Sequence, residues 1–191
     1  MQFLRDLTGW GASAPKLNPA FQYLRATLGG SKLYLALGEI DALDGKRVEV
    51  WYSSERAVLR LVEGRLAGVV GMTAEWRNVS QPGAPSWAEA ARAAEPLHWI
   101  RVRDVMPGYQ YGVRDALTLR RIAPPAGSAL LNVAPDTLVW FEETVEGGVL
   151  PPARYAVEST GERTVVVYGE QCLSASSCIR WQRWSADQPV Q

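Results

Sequence analysis

The chain has 191 residues, and its 20 basic residues balance its 20 acidic residues, so it carries no net charge. This length suits one domain with a full hydrophobic core, and a neutral chain has no long-range field to gather nucleic acid or an acidic membrane surface. Eight tryptophans and seven tyrosines stand against three phenylalanines. Because Trp and Tyr carry a polar group, we expect many of these rings to reach a surface.

Residues 1–20 mix Gly, Pro and Ser with isolated apolar residues, which predicts a loosely held lead-in to a single β-rich domain over residues 21–191. This segment lacks the basic start and apolar core of a signal peptide. No run in the chain reaches the roughly 18 apolar residues of a membrane span. We expect any targeting segment of this protein to lie outside these residues.

The first half of the chain predicts a hairpin followed by a meander. Two apolar runs, 21–28 and 32–37, flank Gly29-Gly30 and predict the hairpin. Residues 47–53 alternate between two faces, which is typical of a half-buried strand. Further strands are expected at 57–62 and 65–72, joined by a turn at Glu63-Gly64.

One short helix is predicted near residues 86–94. Ser86 and Glu89 have the spacing of a capping box, in which each side chain bonds the backbone of the other residue. Five alanines between residues 88 and 94 favour the helical conformation. Pro96 is expected to end the segment.

The second half predicts strands separated by Gly, Pro or Ser turns at the intervals of a sandwich or barrel. The runs are 97–105, 109–122, 137–145, 153–158, 164–172 and 179–184. With the first half, the fold class is mainly β: an antiparallel barrel or sandwich of about ten strands, built from hairpins and meanders.

Two cysteines define the last hairpin. Cys172 and Cys178 flank the turn sequence Leu-Ser-Ala-Ser-Ser, and a hairpin centred on Ala175 places them opposite each other. The same register pairs Glu170 with Arg180, Gly169 with Trp181, Tyr168 with Gln182 and Val166 with Trp184. A disulfide here would stabilise the fold by roughly 2 kcal/mol and would persist in an oxidising compartment such as the periplasm. The alternative is a reduced pair in a cytosolic protein.

Ordinary catalytic sets are missing from the sequence. His98 is the single histidine, and there is no G-x-S-x-G, H-E-x-x-H or Gly-rich phosphate loop, which argues against serine hydrolases, zinc proteases and nucleotide-binding enzymes. We therefore expect neither a metal nor a cofactor. A two-carboxylate glycoside hydrolase remains a remote alternative. Its candidate acids are Asp104, Asp115, Glu142, Glu143 and Glu170.

Motifs in residues 20–75 resemble those of a known family. A Gly-Gly hairpin leads to an apolar strand ending in Leu-Gly, then to a Trp-x-Ser strand, then to a strand opening with Gly-Arg-Leu. The residues are Gly29, Gly30, Trp51, Ser53, Gly64, Arg65 and Leu66, which we expect to be structural. The chain is similar in these motifs to the GfcB/YjbF family of group 4 capsule and exopolysaccharide lipoproteins. It departs from the better-known members in its ending, Trp181-Gln-Arg-Trp184.

The resemblance implies a lipoprotein that faces the periplasm at the inner face of the outer membrane and supports export of surface polysaccharide without catalysis. Its expected partners are other envelope proteins of polysaccharide export, with an outer-membrane protein or the polysaccharide as candidates, and no nucleic acid. The membrane would be reached only through a lipid anchor that this chain does not contain.

Two binding hypotheses follow. In the first, Trp181, Arg183 and Trp184 form the contact with a partner protein, because Trp and Arg are enriched at binding hot spots. The alternative for these residues is a buried tryptophan pair beside a surface arginine. In the second, the protein is a carbohydrate-binding module in which Trp51, Tyr109 and Tyr111 stack on sugar rings.

Overall fold

The computed structural model describes residues 16–28, 30–43, 45–160 and 163–188. These residues form twelve strands and one short α-helix. In chain order the elements are β1 (Tyr23–Leu28), β2 (Ser31–Leu43), β3 (Lys46–Ser53), β4 (Val58–Val62), β5 (Arg65–Val70), β6 (Glu75–Ser80), α1 (Trp87–Arg92), β7 (Leu97–Met106), β8 (Gln110–Ile122), β9 (Val139–Val145), β10 (Ala153–Thr160), β11 (Arg163–Cys172) and β12 (Cys178–Trp184).

Each strand pairs antiparallel with its neighbours in sequence, and β12 pairs with β1 to close a barrel. The predicted mainly β, antiparallel fold with one short helix is confirmed, as are the first hairpin and the capping box of Ser86 and Glu89. The estimate of about ten strands is low. The sequence pattern missed β6, whose alternation is interrupted where Asn78 has a φ of 47° and the pairing with β7 shifts register.

The strands alternate in direction, so the connections lie alternately at the two ends of the barrel. We call one end the helix end: it carries α1, the turns after β2 and β4, the start of β1 and the finish of β12. At this end the Trp87 indole donates to the Glu63 carbonyl at 2.7 Å, which fastens α1 to the turn after β4. The opposite end carries the hairpin turns after β1, β7 and β11.

Large side chains fill the interior of the barrel. Twelve strands enclose a wider space than eight, and short aliphatic side chains alone do not span it. Trp51, Trp76 and Trp181 are almost fully buried there, as is Arg101. The expectation that many rings reach a surface is wrong for all seven tryptophans that the structure describes, which are Trp51, Trp76, Trp87, Trp99, Trp140, Trp181 and Trp184.

Two further apolar clusters cover the outside of the barrel. One contains Leu17, Tyr23, Ala36 and Trp184, and the other contains Leu138, Trp140, Ala156 and Tyr168. The segments before β1 and after β8 supply part of each cluster. The strands beneath these clusters are therefore covered on the outer face as well as on the inner face. β3 is covered on both faces as well: residues 48–51 are all buried, although the sequence predicted a half-buried strand.

The predicted lead-in is described only in part. Residues 1–15 lie outside the described residues. Leu17 is buried against the outer cluster, and the Asn18 backbone N–H donates to the Tyr23 hydroxyl at 3.1 Å. The division into residues 1–20 and 21–191 stays a prediction.

Candidate functional site

The last hairpin is joined by a disulfide between Cys172 and Cys178. The pairs Glu170 with Arg180, Gly169 with Trp181 and Tyr168 with Gln182 are all formed, as the sequence predicted. Gly169 is required there, because a Cβ would collide with the Trp181 ring. The predicted pair of Val166 with Trp184 is wrong.

The reason for that error lies in β11 and β12. A bulge between β10 and β11 pairs Val157 with Val166 and Ala156 with Tyr168, which turns Val166 inward. The ladder between β11 and β12 ends at the pair of Tyr168 and Gln182, so Trp184 is paired only on its other edge, with Tyr23 of β1. A bulge changes which residues share a face, and the symmetric hairpin used for the prediction contains none.

The three residues of the predicted contact segment do not share a surface. Trp181 points into the barrel and packs on Tyr155, whereas Trp184 packs in the outer cluster and makes an edge contact with Tyr34. The Arg183 side chain is 27% exposed, and its Nη2 lies 2.8 Å from a Glu49 carboxylate oxygen. The two indoles therefore belong to the packing of the fold.

A groove nevertheless runs beside this segment. Its volume is about 360 Å³, and Arg183 and Trp184 line it at the helix end together with Pro19, Trp51 and residues 21–23 and 185–187. Arg183 is the member of the segment that can offer a charged group to a partner there. The contact role of the segment stays a prediction.

The family-motif residues occupy positions that shape the barrel. Gly64 has a φ of +81°, and a Cβ there would collide with Val166, so this turn requires glycine. The Ser53 hydroxyl accepts a hydrogen bond from the Ala57 backbone N–H at 2.9 Å. Trp51 and Leu66 are buried in the core. Gly30 has a φ of +89°, and Gly29 lies outside the described residues.

A buried polar cluster, which we call the interior arginine cluster, crosses the core. Arg101 lies 2.8 Å from Asp115 and 3.1 Å from Glu143, and its Nη1 donates to the Gln171 amide oxygen at 3.4 Å. Arg103 donates to both oxygens of Asp115. Both guanidinium groups lie 4.5 Å from the centre of the Trp76 ring, within cation–π range.

The sequence pattern did not predict the interior arginine cluster. Arg101 and Arg103 alternate with Ile100 and Val102, and a half-buried strand would normally turn the aliphatic residues inward. Here the arginines are buried and the aliphatic residues are partly exposed. The available signal was the Arg-x-Arg spacing in β7 opposite Asp115 in β8.

The cluster perturbs its acids in opposite directions. Burial alone would raise the pKa of Asp115, but hydrogen bonds from Arg103 and the charge of Arg101 outweigh burial and hold that pKa below its ordinary value. Burial raises the pKa of Glu143, and the charges of Arg101 and Arg65 oppose that rise without cancelling it.

The candidate acids of a glycoside hydrolase are each engaged by neighbours. Glu142 and Glu143 point to opposite faces of β9, and Glu142 is paired with Arg120 and Arg154 on the outside. Glu170 accepts from the Tyr168 hydroxyl and pairs with Arg154. Asp104 accepts from Asn78 and from the Gly112 backbone. Asp115 and Glu143 share Arg101 in the buried cluster. This arrangement suits structural ion pairs.

Of the three rings proposed to stack on sugars, two are available. Tyr109 and Tyr111, at the hairpin turn after β7, are 73% and 67% exposed. Tyr109 lines a groove of about 300 Å³ with the ion pair of Arg77 and Glu75. Trp51 is fully buried, so its predicted role in sugar stacking is wrong.

The described residues show neither a metal-ligand cluster nor a membrane-spanning helix. They contain no group of three or more His, Cys, Asp or Glu side chains placed to hold a metal ion. None of their helices is both long and apolar enough to cross a membrane.

Comparison with known proteins gives a family and a solved structure of similar fold. The sequence profile described as group 4 capsule polysaccharide lipoprotein GfcB, YjbF, matches residues 17–156. The crystal structure of the hypothetical lipoprotein YmcC from Escherichia coli K12 superposes with a TM-score of 0.59 at 20% sequence identity, covering 90% of this chain and 84% of that one. No curated protein matches the sequence significantly. The YmcC superposition shows a shared fold.

Proposed function

The chain belongs to the YjbF family of group 4 capsule polysaccharide lipoproteins, and from this premise we propose that it is an accessory or assembly protein for polysaccharide export that acts by binding. The family match over residues 17–156 is the observation that carries the proposal. Its expected partners are other envelope proteins of the export apparatus.

The disulfide supports a periplasmic site of action for this lipoprotein, at the inner face of the outer membrane. A bond between Cys172 and Cys178 persists in an oxidising compartment, and glutathione and thioredoxin would reduce it in the cytosol.

Because the interior of the barrel is packed, we expect a partner to bind at the outer surface or at the ends of the barrel. Indoles and the interior arginine cluster occupy the core, and the buried acids Asp115 and Glu143 are held by arginines. The groove beside Arg183 is the proposed contact for a partner protein, because it combines a partly exposed guanidinium with apolar walls.

A photo-crosslinking amino acid at position 185 tests this proposal in cells. Ser185 is exposed and lines the groove, and Ser31 is an exposed serine at the opposite end of the barrel that serves as the matched control position. We expect position 185 to capture an envelope protein of the export apparatus that position 31 does not. Identical products from both positions would count against the contact.

A second candidate function is binding of the polysaccharide itself. The exposed rings of Tyr109 and Tyr111 beside the Arg77 pair form the kind of surface on which sugars stack. Titration with the native polysaccharide should then shift the protein's fluorescence, and the Tyr109→Ala/Tyr111→Ala double variant should lose the response. If the fluorescence of the wild-type protein does not change, polysaccharide binding is rejected and partner-protein binding stays as the proposed function.

A further inference from the structure

A second cavity opens at the helix end of the barrel, about 290 Å³ in volume, which we call the Arg65 cavity. Val62, Ala67 and Val79 contribute apolar walls. The polar residues in the lining are Lys46, Glu63, Arg65, Ser80 and Gln81. An apolar wall with a few convergent polar groups is the usual composition of a small-molecule site.

Arg65 is the unusual member of this set. It is only 2% exposed, and among the described residues it has no carboxylate within 4.0 Å. Its guanidinium stacks 3.8 Å from the centre of the Trp87 ring, but its Nε and Nη2 donors have no hydrogen-bond partner. A buried cation with unused donors is costly, and a ligand that supplies acceptors would relieve that cost.

The surrounding charges offset Arg65 only in part, because Glu143 attracts it from beyond ion-pair distance. Among the described residues, the buried charged side chains are four arginines (Arg25, Arg65, Arg101 and Arg103) and three carboxylates, which leaves one positive charge in excess. One carboxylate, Glu49, is held by Arg183, and the other two are Asp115 and Glu143. Asp115 and Glu143 are both bound to Arg101, and Arg103 also binds Asp115. At the rim, Lys46 and Glu63 lie 3.9 Å apart and are each about a third exposed, so they largely offset each other.

Gln81 provides the complementary acceptor. Its Nε2 donates to the Leu66 carbonyl at 3.1 Å, which fixes the orientation of the amide, and its Oε1 is buried without a donor. Arg65 thus brings unmatched donors, and Gln81 an unmatched acceptor, to the wall of the cavity, where these atoms are buried. A molecule with an oxyanion and a neighbouring hydroxyl would satisfy both.

We propose that the Arg65 cavity binds the oxyanion of an acidic sugar, with the guanidinium of Arg65 facing the oxyanion and Gln81 accepting from a sugar hydroxyl. A carboxylate of a uronic acid and a phosphate on a sugar share this chemistry. The choice of a sugar as the carrier rests on the proposed role in polysaccharide export, whereas the oxyanion site rests on the cavity alone.

Titration of the purified protein with four probes tests the site. The probes are methyl glucuronide, glucose 1-phosphate, inorganic phosphate and the neutral methyl glucoside. We expect saturable calorimetric binding and a shift of the Trp87 indole N–H resonance with one or both acidic sugars, and neither signal with methyl glucoside. Saturation by inorganic phosphate alone, or an equal response to methyl glucoside, would overturn the proposal.

Arg65→Met is the decisive variant, and Arg60→Met is its matched control. Arg65→Met removes an unpaired buried charge while keeping an unbranched side chain, so the thermal midpoint should hold or rise. Affinity for the acidic sugar should fall by about tenfold or more, since charge-assisted hydrogen bonds are lost. Arg60 is exposed, so its replacement should leave affinity unchanged.

A variant at the rim keeps the test decisive if Arg65→Met fails to fold. Lys46→Met should weaken binding by about twofold to fivefold, because it removes a solvent-exposed charge near the ligand. Unchanged affinity in both Arg65→Met and Lys46→Met would refute the site. Loss of oxyanion binding and loss of polysaccharide export are separate outcomes: absence of binding in the wild-type protein refutes the site, and export without this protein refutes the proposed function.

Discussion

The Arg101 side chain contacts more strands than a backbone ladder does, because a ladder joins only two strands. From β7 it binds side chains of β8, β9 and β11, and it lies over the Trp76 ring of β6. Taking a guanidinium out of water is unfavourable unless its partners are fixed, and here two carboxylates and an amide oxygen meet it. Together with those of Arg103, these contacts use both oxygens of Asp115 and the Oε1 oxygen of Glu143.

Replacing Arg101 should destabilise the protein strongly. In Arg101→Met, Glu143 loses its ion pair and Asp115 keeps only Arg103, so we expect the free energy of unfolding to fall by about 3–5 kcal/mol. Arg120→Met is the control, because the Arg120 side chain is 61% exposed in its pair with Glu142. The control should lose about 1 kcal/mol or less.

Urea denaturation of the two variants measures this difference. The account predicts a clear drop in the midpoint for Arg101→Met and a small one for Arg120→Met. Equal midpoints would mean that the buried cluster contributes no more than a surface pair.

At the scale of elements, the sequence predicted the hairpins and the helix cap, which depend on residues close together in the chain. The hairpin of Cys172 and Cys178, the Gly-Gly hairpin and the capping box each depend on residues close in sequence. The closure of β12 on β1 and the bulge beside Val166 depend on strands far apart in sequence. No period in the sequence reports the width of the barrel, so the burial of the tryptophans and of Arg65 and Arg101 could not be predicted.

The last hairpin should respond to reductant. Opening the Cys172–Cys178 bond frees a short loop, which should lower the free energy of unfolding by roughly 2 kcal/mol. The Cys172→Ala/Cys178→Ala variant should start at that lower stability. Thermal unfolding with and without dithiothreitol checks both, and a reductant effect of equal size in the variant would rule out the bond as its cause.

The turn between β4 and β5 should reject any side chain. Gly64→Ala must place a β-carbon against Val166 at a φ of +81°, so backbone strain and overpacking together should lower stability by about 2–4 kcal/mol. Gly45→Ala at the turn after β2 is the matched control, because it has a φ of +74° with open space around it.

The control isolates the contact from the strain. Gly45→Ala should lose roughly 1–2 kcal/mol from the positive φ alone. If the two variants have the same denaturation midpoint, the close approach of Val166 contributes nothing to the requirement for glycine.

As a whole molecule, the protein is a closed barrel with a filled core and outer faces covered in part by the segments before β1 and after β8. Such a body has its free surfaces at the two ends and along the uncovered strands. The grooves beside Arg183 and Tyr109 and the Arg65 cavity lie at these places. The proposed function therefore concerns binding at the ends of the barrel in the cell envelope.

The amount of polysaccharide on the cell surface, measured in a strain that lacks this gene and again after the gene is restored, tests the role in export most directly. We predict that polymer is still made without the protein but is retained in the cell, and that the restored wild-type gene returns it to the surface. Undiminished surface polysaccharide in the deletion strain would contradict the proposed role.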